Sequence, residues 1–148
     1  MKLKNNKGIG LSDTIIAIGI FILFSGAIIS ISYNIYIQSN FIKRNDTATN
    51  YIVELLEFAK TKDVEEVSYD TLSGYIKAKY ENSITLTSIK PNDKSIGKGY
   101  TMYIIVKDPH TENPDLYEEN FVKEIETGVY YKLADKVKKV IMKTLVSK

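Results

Sequence analysis

Residues Lys7–Ile31 read KGIGLSDTIIAIGIFILFSGAIISI, an apolar run with one acid, Asp13, close to its start. From Thr14 to Ile42 no side chain is charged and no proline intervenes. About 20 apolar residues at a rise of roughly 1.5 Å span the hydrocarbon core of a bilayer, so the run predicts a membrane-spanning helix. A cleaved secretory signal has an apolar core of only about 7 to 15 residues followed by small residues, which this run does not match. Asp13 is then the feature to explain, because an unpaired carboxylate in hydrocarbon costs several kcal/mol.

Working outward, Lys2, Lys4 and Lys7 precede the run without an acid among them. The positive-inside bias keeps them cytoplasmic and puts the bulk of the chain on the other side, while Lys43 and Arg44 on the far flank work against that bias. Those three lysines also account for the formal charge of +2: of the 20 basic residues 17 remain beyond them, against 18 acids. A nearly neutral remainder exerts no general pull on nucleic acid, which is not expected as a partner. The absence of cysteine excludes disulfides, a lipidated cysteine and a zinc knuckle.

Beyond Arg44, Ala48, Ile52, Leu55, Leu56 and Ala59 recur at helical spacing, with Asp46, Glu54, Glu57 and Lys60 largely between them. One helix is therefore expected to run to about Lys62, apolar all round in its first half and striped in its second. After a polar connection, TKDVEEVSYD, the period changes to two. Ile76, Ala78 and Tyr80 alternate with lysines, Ile84 and Leu86 with threonines, and Tyr100, Met102, Ile104 and Val106 with Thr101, Tyr103 and Ile105. Turn residues separate these runs at ENS, KPND and DPHTENPD. The tail LADKVKKVIMKTLVSK fits either a helix face or a strand, and its β-branched residues favour the strand. The fold class expected is α+β, a long N-terminal helix packed on a small antiparallel sheet.

Lys7-Gly8 ahead of an apolar Ile9, an acid four residues later at Asp13, and a long apolar helix resemble the type IV pilin and pseudopilin family. The stretch DTIIAIGIFIL is most similar to minor pilins and minor pseudopilins. The motif covers Lys7 to about Ile31, and the helix-then-sheet order extends the resemblance over the rest of the chain. It implies a leader of residues 1–8, a transmembrane and fibre-core helix over 9–42, and an extracytoplasmic globular domain over 43–148. It further implies cleavage between Gly8 and Ile9 by a prepilin peptidase, N-methylation of Ile9, and pairing of Asp13 with the Ile9 amine of a neighbouring subunit. The implied partners are other pilin or pseudopilin subunits, the peptidase, the pilus assembly platform and the membrane. The implied location is the cytoplasmic membrane, single-pass with the C-terminal domain outside, and then an extracellular fibre or pseudopilus. Two features depart from the common pattern: the acid is Asp where most members have Glu, and the mid-run proline of many major pilins is missing.

Gly19 and Gly26 are seven residues apart and share a face, and Gly26 with Ser30 forms a small-xxx-small pair that lets helices approach closely. Asp108, Glu112, Asn113 and Asp115 cluster oxygens in a proline-containing loop, a calcium candidate without the EF-hand pattern, for which a solvated loop is the plainer account. No cofactor is expected. GIGLSD and GKGY lack the context of a nucleotide-binding loop, and His110 has neither a cysteine nucleophile nor an HExxH spacing beside it. The tail lysines Lys132, Lys136, Lys138, Lys139 and Lys143 offer a basic patch for DNA or acidic surfaces, for which the wet face of a strand or helix is the plainer account, since Glu124, Glu126 and Asp135 lie nearby in sequence. The function expected is thus a non-enzymatic assembly subunit of a type IV pilus. The alternatives are a type II secretion or DNA-uptake pseudopilin, a tip-displayed binding module, and, last, a membrane-anchored enzyme.

Overall fold

The computed structural model describes residues 10–109 and 121–147. The fold class is the α+β arrangement expected, and the chain divides into two compact units at Asn40 and Phe41. Helix α1 runs Leu11–Lys60 without interruption, as a stretch free of proline allows. It closes in a tightened last turn, where Thr61 and Lys62 donate their amides to the carbonyls of Phe58 and Ala59 at 3.0 and 3.2 Å. Among the described residues α1 is the one helix long and apolar enough to cross a membrane, which fits a single-pass membrane protein.

In the second unit α1 lays the stripe Ala48, Ile52, Leu55, Leu56 and Ala59 into a core with Met102, Ile104, Ile125, Val129, Tyr131 and Val146 of the sheet. Every residue of the stripe read from the sequence is buried there. A single 3₁₀ turn, Val64–Glu66, then reverses the chain and buries Val64.

Helix α2, Tyr69–Tyr80, corrects the strand expected around Ile76, Ala78 and Tyr80. Ser68 caps it, its Oγ accepting from the Thr71 amide at 3.2 Å. Leu72 and Ile76, four apart, point into the same core, with Tyr80 packed at its margin. The alternation seen at Ile76–Tyr80 is two residues of a helical stripe, Ile76 and Tyr80, with the exposed Lys77, Ala78 and Lys79 between them.

The sheet comprises β1 Ile84–Thr87, β2 Tyr100–Lys107, β3 Val122–Leu133 and β4 Lys136–Ser147, in that spatial order. The tail is a strand, as its β-branching favours. The antiparallel expectation holds for β2–β3 and β3–β4, but β1 lies parallel to β2, so the sheet is mixed. Parallel neighbours need a crossover of a dozen or so residues, and residues 88–99 supply it. This crossover lays Ile96 on the sheet face opposite α1, in a small second core with Tyr103 and Tyr130. Strand β3 is therefore covered on both faces, α1 on one and the crossover on the other. The β3–β4 hairpin turns through Ala134 and Asp135, with Ala134 at φ 51°, a left-handed conformation that costs an alanine about 1–2 kcal/mol.

Candidate functional site

The first turn of α1 is built on Gly10, whose carbonyl accepts from the amides of Asp13 at 2.9 Å and Thr14 at 3.3 Å. Asp13 is exposed in this first turn, where the partial positive charge of the helix N-terminus favours a carboxylate. From there to Ile42 the helix presents apolar side chains all round; Phe21 is 71%, Leu23 75% and Ile29 68% exposed. Such a surface is unstable in water and demands lipid or other apolar helices. Gly19 and Gly26 are shallow notches in it, with no atom within 4 Å of where a Cβ would stand, and Ser30 is exposed one turn beyond Gly26.

Gly8 and Ile9 lie outside the described residues, as do Glu112, Asn113, Asp115 and His110. Asp108 lines an open depression between the start of α2 and the end of β2, with Val67, Ser68 and Lys123 also on its wall. Among the described residues no group of three or more Asp, Glu or His is placed to hold a metal ion.

A polar centre the sequence reading did not foresee lies on the sheet face under the crossover. Glu126, nearly fully buried, is held by Lys90 at 2.6 Å and Lys143 at 3.0 Å, and accepts a hydrogen bond from the Tyr103 hydroxyl at 2.8 Å. The two ammonium groups, Lys90 first, with Tyr103 after them, hold the Glu126 carboxyl down at about 2. Burial, and then the adjacent carboxylate, pushes the Tyr103 hydroxyl well above the ordinary tyrosine range. Its ring comes close to Gly128, where a Cβ would stand 2.6 Å from Cε1 of Tyr103, so no larger residue fits without a shift. A carboxylate saturated by three donors is a poor base. The arrangement fastens the crossover, through Lys90, to β3 and β4.

Other ties bind α1 to the domain. Glu54 accepts from Lys79 at 2.6 Å and from the Tyr80 hydroxyl, linking α1 to α2 and lowering the Glu54 pKa through those bonds. Arg44 donates to the Lys132 carbonyl at 2.7 Å and Tyr131 to Asn45 at 3.3 Å, linking α1 to β3. An aromatic chain, Tyr80–Tyr51–Tyr100–Tyr131, runs across the same junction with ring centroids 4.7, 5.4 and 5.9 Å apart.

No protein-family model, curated protein or solved structure matches the chain.

Proposed function

We propose that this chain is a membrane-inserted subunit of a type IV pilus or a related pseudopilus, most like a minor pilin or minor pseudopilin. The observation that carries the reading is the division of labour along α1: an acid in the first turn, an all-round apolar segment, then a stripe that serves as the core of an α+β domain. A plain anchor accounts for the apolar segment but gives no use for an acid at its end.

In this reading the subunit waits in the cytoplasmic membrane with Lys2, Lys4 and Lys7 inside and the domain outside. A prepilin peptidase hydrolyses the Gly8–Ile9 bond, and Gly8 suits a close approach of backbone to a protease cleft. The released Ile9 amine, methylated or not, is cationic. Asp13 of the incoming subunit pairs with the Ile9 amine of a neighbour, so a charge costly in lipid is compensated on assembly. The notches at Gly19 and Gly26, with Ser30, let the packed helices approach.

The test is terminal mass spectrometry of the protein from cells with a working prepilin peptidase. A chain beginning at Ile9 is expected. Recovery of intact Met1 alone overturns the reading.

A further inference from the structure

The end of the globular domain from which α1 departs is a basic collar. Lys43 and Arg44 sit on α1 just after the apolar segment, and the tip of the β3–β4 hairpin is brought beside them. Two contacts fix that placement: Arg44 donates to the Lys132 carbonyl at 2.7 Å, and the Lys138 ammonium stands 5.6 Å from the centre of the Phe41 ring. The strand register carries Lys136 opposite Leu133 and Lys138 opposite Tyr131, so Lys132, Lys136, Lys138 and Lys139 gather at the same end of the sheet.

Six basic residues face only Asp46 and Asp135 in these two segments, and among the described residues none of the six is in an ion pair. Lys43, Lys136, Lys138 and Lys139 are exposed. The far end of β4 differs, because Lys143 is engaged by Glu124 at 3.2 Å and Glu126 at 3.0 Å. Exposed lysines outside ion pairs also occur elsewhere among the described residues, as at Lys77 and Lys94, but the six basic residues gathered here lie at the end of the domain where the chain passes into its apolar segment.

We infer that this collar is a docking surface for the anionic phospholipid headgroups of the leaflet on the domain's side, holding the domain down on the bilayer before assembly. The inference rests on the reading that α1 crosses the membrane. Chain continuity then puts Phe41–Arg44 at the headgroup level, and an aromatic beside cationic side chains is the composition suited to that layer. Lysines within a Debye length of an anionic surface, about 8 Å at physiological salt, are drawn to it, and several acting together outweigh two acids.

The test uses the full chain reconstituted into phosphatidylcholine vesicles and into phosphatidylcholine mixed with phosphatidylglycerol, with lysine acetylation rates read residue by residue by mass spectrometry. Co-flotation with both vesicles, together with acetylation of Lys136, Lys138 and Lys139 slowed about five-fold in the anionic ones and restored by high salt, is the expected result. Lys77 and Lys94, exposed elsewhere in the domain, serve as controls whose rates stay the same. Replacing two exposed members together, Lys136→Gln with Lys139→Gln, is expected to reduce the protection of Lys138 without unfolding the domain. Equal rates in the two vesicles, with the protein inserted in both, overturn the inference and leave the spanning reading standing. Protection that is the same in both lipids and grows with protein density also overturns it, assigning the collar to contacts between subunits. Failure to float with either vesicle removes the spanning reading and the inference together.

Discussion

The two halves of α1 share one backbone and obey opposite rules. In the half before Phe41, Ile, Leu and Phe point in every direction and stay exposed; in the half after it, the same kinds of side chain are confined to one stripe and vanish into a core. Helix propensity does not distinguish them. The distribution of charge does: none between Thr14 and Ile42, then Lys43, Arg44, Asp46, Glu54 and Glu57 spaced to leave one apolar face. A segment with no polar face takes its stability from an apolar solvent, whereas a striped segment takes it from a specific partner surface. Substitutions in the first half are therefore expected to act on membrane insertion and, on the proposed reading, on assembly, and those in the second on folding.

The sharpest way to break this contrast is at Asp13. On the proposed reading, Asp13→Ala is expected to leave membrane insertion and domain stability intact while lowering assembly, since an amine left unpaired in a fibre core would cost about 3 to 5 kcal/mol. Comparing each variant's share in sheared fibres with its share in membranes measures this; Asp13→Glu is expected to assemble at least as well as wild type and Asp13→Lys worst. Equal partitioning of Ala, Lys and wild type would reduce Asp13 to an interfacial acid.

The second comparison pairs equivalent truncations in the two halves. Ile52→Ala removes a fully buried side chain and is expected to destabilise the domain by about 2–5 kcal/mol in denaturant melts of the detergent-solubilised chain. Ile22→Ala, 62% exposed before substitution, is expected to leave the same melt unchanged. Equal shifts would mean that the halves are not energetically separate.

A smaller effect is expected at the polar centre, which belongs to the folded half alone. Glu126 has its carboxyl lowered to about 2 in the folded state, so the stabilisation is fully present above the ordinary carboxylate range and is lost as pH falls from about 4.5 toward 2. Because Lys90 and Lys143 are more than half exposed, solvent screening reduces the loss to about 1–2 kcal/mol. Glu126→Gln is expected to flatten this segment of the stability-against-pH curve. An acid limb of undiminished slope in the variant would assign the sensitivity to another group.

Local patterns decided much of this protein. The apolar run, its flanking lysines, the acid at Asp13 and the stripe from Ala48 to Ala59 are all readable from neighbours within a few turns, because a helix brings i, i+3 and i+4 together whatever the rest of the chain does. The alternation of β2 and the β-branching of β4 were legible for the same reason, each strand carrying aliphatic side chains at every second position toward the core shared with α1. What remained hidden depended on distant partners. Strand β3 shows no clean alternation because both of its faces are covered, and it carries Glu126 inside only because Lys90 of the crossover and Lys143 of β4 reach it. Helix α2 was misread over Ile76–Tyr80 because a three-residue alternation outweighed the Ser68 cap and the Leu72–Ile76–Tyr80 spacing. The parallel pairing of β1 with β2 is written in neither strand, since direction follows from where the crossover passes. The basic collar, likewise, joins α1 to a hairpin some ninety positions away, a juxtaposition that only the packed sheet creates.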